Sequence, residues 1–163
     1  MSSASLSIEE WLAAFIASAQ ELAKVTLGFE SVAIQGKRTD LSPDSSGSYI
    51  GLVGDMCAIE LGIISTLEGC QTLARALLGC NEDTEPLPPA DIADALGEIA
   101  NMVAGGIKRR MAKHDSSIKL GLPFFLHGRI EPLAKQETAI TEAMIGPVTA
   151  QLLLIKQVQA TKS

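Results

Sequence analysis

Aromatic side chains are scarce in this chain: of its 163 residues, one is Trp, one is Tyr and four are Phe. Proteins that bind single-stranded nucleic acid use aromatic rings as stacking platforms for the bases. The charge balance points the same way, because 19 acidic residues against 13 basic ones give a net charge of -6, which repels phosphate backbones. The sequence therefore predicts no nucleic-acid partner.

Long apolar runs and paired cysteines are also missing. No run approaches the roughly 18 apolar residues of a membrane span, and the N-terminal segment lacks the basic start of a secretory signal. Cys57, Cys70 and Cys80 form no C-x-x-C pair and cannot all be bridged within one chain, so we interpret them as small apolar side chains in a reducing compartment. These features predict a cytoplasmic protein with no membrane partner.

Metal ligands are sparse as well. His114 and His127 are the two histidines, and they are too isolated to form a metal site. We predict no metal site and no cofactor bound by the chain itself.

The length suits one domain spanning residues 1–163, large enough to bury its own core. A first long helix is predicted from its caps: Ser7 is an N-cap residue, Glu10 completes a capping box, and Gly28 ends the helix. A short second helix is predicted between Thr66 as N-cap and Gly79 as the stop.

The remaining segments have strand character. A hairpin is predicted to turn at Gly54-Asp55, between strands YIGLV and CAIELGIIS, and further strands follow a third helix that runs from about Pro89 to Lys113. An acidic, proline-rich connector, NEDTEPLPP, precedes that helix. The order predicts an α+β domain: a largely antiparallel sheet of about six strands, with two long helices and one short helix packed on one face.

The third helix has two different faces. One carries the apolar residues expected to meet the core. The opposite stripe is polar or small and should be exposed, since its steps of three and four residues keep it on one side. Its members are Asp94, Glu98, Asn101, Gly105 and Lys108.

Glycine is unusually frequent in this helix. Gly97, Gly105 and Gly106 each cost roughly 1 kcal/mol relative to alanine in a helix interior. We expect the glycines to keep the helix surface smooth, so that a partner's backbone or loop can approach while Glu98 and Asn101 reach outward. Several unfavourable local choices on one exposed patch indicate a functional surface.

The stretch DALGEIANMVAGGIKRRM resembles the catalytic helix of the CheX-like chemotaxis phosphatases, which are related to CheC and FliY. Asp94, Glu98 and Asn101 match the family pattern of an acidic residue or serine followed by E-x-x-N. Gly105 falls where that helix usually has glycine, and Pro123 lies close to the proline of the pattern.

The resemblance covers most of the chain, most specifically from about Tyr49 to Gly128. CheC proteins carry two E-x-x-N helices, whereas the first helix here, with AAFIASAQELAKV, has none. This favours the CheX type with one site per chain. CheX proteins pair through their sheets, so the resemblance implies a homodimer formed through sheet edges.

The resemblance also implies the activity. The chain would be a protein phosphatase that hydrolyses the aspartyl phosphate of a phosphorylated CheY-type response regulator. Asn101 would orient the attacking water and Glu98 would anchor the regulator, which supplies its own Mg²⁺. The docking surface would include four further residues of the same helix: Asp94, Gly97, Gly105 and Lys108.

One alternative keeps the same fold. A non-enzymatic module that binds a response regulator, or a flagellar-switch adaptor, would retain the architecture without efficient hydrolysis. The intact Glu98 and Asn101 favour the phosphatase.

Overall fold

The computed structural model describes residues 6–30, 32–80, 85–128, 130–132 and 136–157. These residues form three helices and one seven-stranded antiparallel sheet. The helices are α1 (Ile8–Val25), α2 (Leu67–Leu78) and α3 (Pro89–Met111). The strands are β1 (Val32–Arg38), β2 (Ser46–Val53), β3 (Ala58–Ser65), β4 (Lys119–Leu120), β5 (Phe124–His127), β6 (Glu137–Ile145) and β7 (Val148–Gln157).

The predicted α+β class is confirmed, while the predicted count of about six strands is slightly low. The strand order is β1-β6-β7-β3-β2-β4, and β5 also pairs with β2. The extra strand arises because the segment after α3 pairs with β2 twice, as β4 and then as β5. The acidic connector lies partly outside the described residues.

Capping residues mark the start of α1 and both ends of α2. The Ser7 side chain accepts a hydrogen bond from the backbone N of Glu10, and a Glu10 carboxylate oxygen accepts one from the Ser7 backbone N at 2.8 Å, which is the predicted capping box. Thr66 caps α2 through Gly69 N, and Gly79 ends it in the left-handed conformation. The third helix ends at Met111, two residues before the predicted end.

The sheet has a different apolar cluster on each face, because successive side chains of a strand point to opposite sides. Leu152 and Leu154 of β7 pack in the larger cluster, which contains the buried faces of all three helices. Leu153 and Ile155 belong to a smaller cluster with Tyr49 on the other face. The helices therefore cover one face, as the sequence predicts.

No helix among the described residues combines the length and the hydropathy that a membrane span requires.

Asp115, just after α3, ties the end of this helix to the β2–β3 hairpin. One carboxylate oxygen accepts a hydrogen bond from Met56 N at 3.1 Å, and the other accepts from Ser117 N at 2.9 Å. The side chain is buried, and Gly54 is needed beside it because a Cβ there would lie 2.4 Å from the carboxylate. These hydrogen bonds, with that from the Ser117 hydroxyl first, hold the pKa of Asp115 below its usual range.

We expect Asp115→Ala to lower the free energy of unfolding by about 2 kcal/mol at pH 7, since several partly buried donors lose their acceptor. This corresponds to a melting temperature lower by roughly 4–8 °C. The folded pKa is below the unfolded value of about 3.9, so the contribution is complete above that pH and disappears as the pH falls toward the folded pKa. Thermal melts from pH 7 to pH 3 measure it, with Asp91→Ala, an exposed acid of α3, as control. A difference between wild type and variant that persists unchanged at pH 3 would contradict this role.

Candidate functional site

The predicted polar stripe of α3 lies at the surface. Asp94, Glu98, Asn101 and Lys108 are exposed, and Gly105 between them is half-buried. Glu98 and Asn101 are three residues apart, so their Cβ atoms are neighbours at about 5–6 Å on the helix surface. The opposite side of α3 is buried against the sheet and the other helices, with Leu96, Ile99, Val103 and Ile107 among its buried side chains.

Glu98 and Asn101 are available to a partner. Among the described residues, no hydrogen bond or ion pair engages either side chain. A carboxylate accepts hydrogen bonds or an ion pair, whereas an amide both donates and accepts without ionising. The pair therefore offers one charged anchor and one neutral group that can position a water molecule.

The three helix glycines serve different purposes, which corrects the expectation that all of them smooth the exposed surface. Gly106 is buried, and a Cβ there would lie 2.1 Å from Ser18 Oγ. Ser18 of α1 is itself buried and donates a hydrogen bond to Val103 O at 2.7 Å. Gly106 is thus an internal contact between α1 and α3, and Ala100 and Ala104 are likewise buried.

Gly97 is also buried, unlike the exposed members of the stripe, and its docking role stays a prediction. A Cβ at Gly97 would lie 3.5 Å from Cγ of Pro123, so the loop after β4 covers this side of the helix. Sequence spacing alone does not reveal this neighbour. The structure brings Pro123 beside the residue that precedes Glu98.

Gly105 is the glycine of α3 at which an added side chain would point into open space. The nearest atom to a Cβ there is Arg109 Nη1 at 3.9 Å. Gly105 borders a shallow groove of about 220 Å³ between α1 and α3, which Val25 and Met102 also line. The helix backbone is therefore accessible at Gly105, and the docking role of this residue stays a prediction.

Arg110 and His127 have partners within the fold. Arg110 forms an ion pair with Glu21 of α1 at 2.7 Å, and its hydrogen bond holds the pKa of Glu21 below its usual range. His127 Nδ1 lies 3.3 Å from Ser46 Oγ at the sheet edge, while His114 is exposed beyond the end of α3.

A comparison with protein-family models supplies the deciding observation. The model described as chemotaxis phosphatase CheX matches residues 46–143, which is more than half of the chain and includes the whole of α3. The chain belongs to the CheX family. Curated proteins gave no match.

Solved CheX structures share this fold. CheX from Vibrio vulnificus is 21% identical, with 91% of this chain and 99% of that chain covered at a TM-score of 0.76. The CheX–CheY–BeF3–Mg²⁺ complex from Borrelia burgdorferi is 17% identical, with 91% and 98% covered at a TM-score of 0.69. FliY from Thermotoga maritima is 14% identical, with 92% and 90% covered at a TM-score of 0.62. At these identities the likeness concerns the fold.

The E-x-x-N pair predicted for a CheX helix therefore sits on the exposed face of α3 in a CheX fold. The roles of Glu98 and Asn101, and of Asp94, Gly105 and Lys108 beside them, remain predictions. Sequence analysis missed the long-range neighbours of the helix, Ser18 and Asp115.

Proposed function

We propose that this chain hydrolyses the aspartyl phosphate of a CheY-type response regulator in the cytoplasm. The observation that carries the proposal is the exposed, unengaged pair of Glu98 and Asn101 on α3 of a CheX-family protein. The Borrelia burgdorferi CheX, similar in fold, has been solved together with CheY, BeF3 and Mg²⁺, which supports a partner of this type.

Hydrolysis of an aspartyl phosphate can be catalysed by an amide side chain such as that of Asn101. An aspartyl phosphate is an activated acyl phosphate, and catalysis of phosphoryl transfer rests on positioning and electrostatics more than on covalent chemistry. The Asn101 amide would hydrogen-bond the attacking water and hold it in line with the phosphorus–oxygen bond that breaks. No general base on this chain is needed.

Glu98 would act as the anchor. Its carboxylate can form an ion pair with a lysine at the regulator's phosphorylated site, which places the Asn101 amide next to the phosphoryl group. Asp94 and Lys108 extend the same exposed stripe and would contact the rim of the regulator. The regulator would bring the Mg²⁺ that neutralises phosphoryl charge.

The test is phosphate release. CheY-type regulators from the same genome are phosphorylated with acetyl phosphate, freed of the reagent, and mixed with catalytic amounts of this protein. We expect one of them to lose its phosphate faster, in proportion to the added protein. Binding to a BeF3-activated regulator without faster phosphate release would instead identify the non-enzymatic alternative, which the fold similarity to FliY also allows.

We also propose a homodimer formed through sheet edges. Among the described residues β1 pairs only with β6, so the other side of this strand offers backbone groups that a second copy can engage. Light scattering is expected to give twice the 17.1 kDa mass of the chain at micromolar concentration. A monomer throughout that range would argue against the paired arrangement.

A further inference from the structure

The chain is irregular for three residues between β4 and β5, along the edge of the sheet. β2 pairs with both strands: Leu52 lies opposite Leu120, and Tyr49 lies opposite Phe124. Three residues, Gly121–Pro123, therefore stand opposite only two residues of β2. An extra residue of this kind bends an edge strand and redirects a side chain, as in a β-bulge.

Both ends of this bulge are held in place. Gly121 N donates a hydrogen bond to Gly51 O at 2.8 Å, and the Pro123 ring lies against Gly97 of α3. Leu122 between them is 89% exposed, more than any other large apolar side chain of the described residues. The bulge thus holds an apolar side chain out in water from an anchored backbone.

The position of the bulge connects it to the α3 stripe. Pro123 lies beside Gly97, which directly precedes Glu98 and lies one turn before Asn101, and Leu122 is the residue before Pro123 in the chain. We propose that Leu122 is a docking residue, which inserts into an apolar contact on the CheY-type regulator that covers α3. This inference rests on the proposed function and names a contact outside the helix.

A second copy of the chain is a poorer occupant of this edge. Strand addition needs a continuous row of free backbone groups, and the bulge breaks the regular row and contains Pro123, which has no backbone N–H to donate. A protein that docks on α3 reaches Leu122 without pairing with the edge. Burying a leucine side chain on binding then favours the complex through the hydrophobic effect.

The experiment measures binding of a BeF3-activated CheY-type regulator by calorimetry. Leu122→Ser should weaken binding about tenfold or more, because most of the apolar side chain is lost. Phosphate release at saturating regulator should stay near the wild-type rate, since Leu122 does not touch the reacting atoms. Leu122→Met should restore the affinity.

A matched control is Val53→Ser. Val53 is 58% exposed, but its neighbour Leu52 packs with the helices, so Val53 points to the opposite face of the sheet. This variant should bind like wild type. Thermal melts should show both serine variants folded, because both side chains are exposed.

The outcomes separate the two proposals. If wild type binds the regulator and releases phosphate while Leu122→Ser matches it in both assays, the docking role of Leu122 is wrong and the proposed function stands. If light scattering shows that Leu122→Ser changes the mass of the free protein, the occupant is a second copy and the inference is overturned. If wild type neither binds nor hydrolyses any regulator, both proposals fail.

Discussion

Replacing Asn101 by alanine is expected to slow dephosphorylation of the regulator about a hundredfold while leaving binding and folding intact. A group that positions a reactant in the transition state is typically worth roughly 3 kcal/mol, which is about two orders of magnitude in rate. Asn101 is exposed, so removing its amide creates no cavity and leaves no buried group without a partner. Single-turnover phosphate release at saturating protein isolates the chemical step.

Two further measurements make the result specific. Calorimetry with a BeF3-activated regulator should give a dissociation constant near that of wild type, because Glu98 and the rest of the stripe remain. Asp91→Ala, which removes an exposed acid from the first turn of the same helix, should hydrolyse at the normal rate. If Asn101→Ala releases phosphate at nearly the wild-type rate in the single-turnover assay, Asn101 does not orient the attacking water.

Leucine at the two adjacent glycines of α3 is expected to give opposite results. At Gly106 the new side chain collides with Ser18, since even a Cβ would lie 2.1 Å from its hydroxyl oxygen, and overpacking should lower the free energy of unfolding by about 3 kcal/mol. The melting temperature would fall by roughly 6–12 °C. At Gly105 the side chain enters open space, so stability should hold or rise by up to about 1 kcal/mol from helix propensity.

Variants at the two glycines should also differ in their affinity for the regulator. Gly105→Leu should lose affinity for the BeF3-activated regulator, because the side chain fills the surface on which the regulator docks. Gly106→Ala adds only the Cβ, which the Ser18 hydroxyl can avoid by rotating, so this variant should lose less stability than Gly106→Leu and should bind the regulator normally. A Gly105→Leu variant that melts and binds like wild type would place the docking surface elsewhere on the molecule.

Features decided by neighbouring residues could be predicted from the sequence. The capping box of Ser7 and Glu10 and the left-handed Gly79 depend on contacts within a few residues, and both are confirmed. The exposure of Glu98 and Asn101 follows from helical periodicity in the same way. The α+β order was equally predictable, because runs of strand and helix character were distinct.

Features that depend on distant pairing could not be predicted. Ser18 and Val103, whose hydrogen bond accompanies the close approach at Gly106, are 85 residues apart in the chain. The Asp115 carboxylate bonds to Met56 N across 59 residues, and nothing local marks this aspartate as buried. A glycine in a sequence indicates that a neighbour comes close but does not identify the neighbour, so the sequence alone places Gly106 on the exposed surface and not against Ser18.

The orientation of α3 about its own axis is fixed at three places along its length. Gly106 meets Ser18, Gly97 meets Pro123, and Asp115 binds the hairpin just beyond the C-terminal end. A helix held in this way cannot rotate its polar stripe to suit a partner. Its backbone entropy is lost when the protein folds and not when the complex forms, so the stripe is preorganised and a partner must match it as it stands.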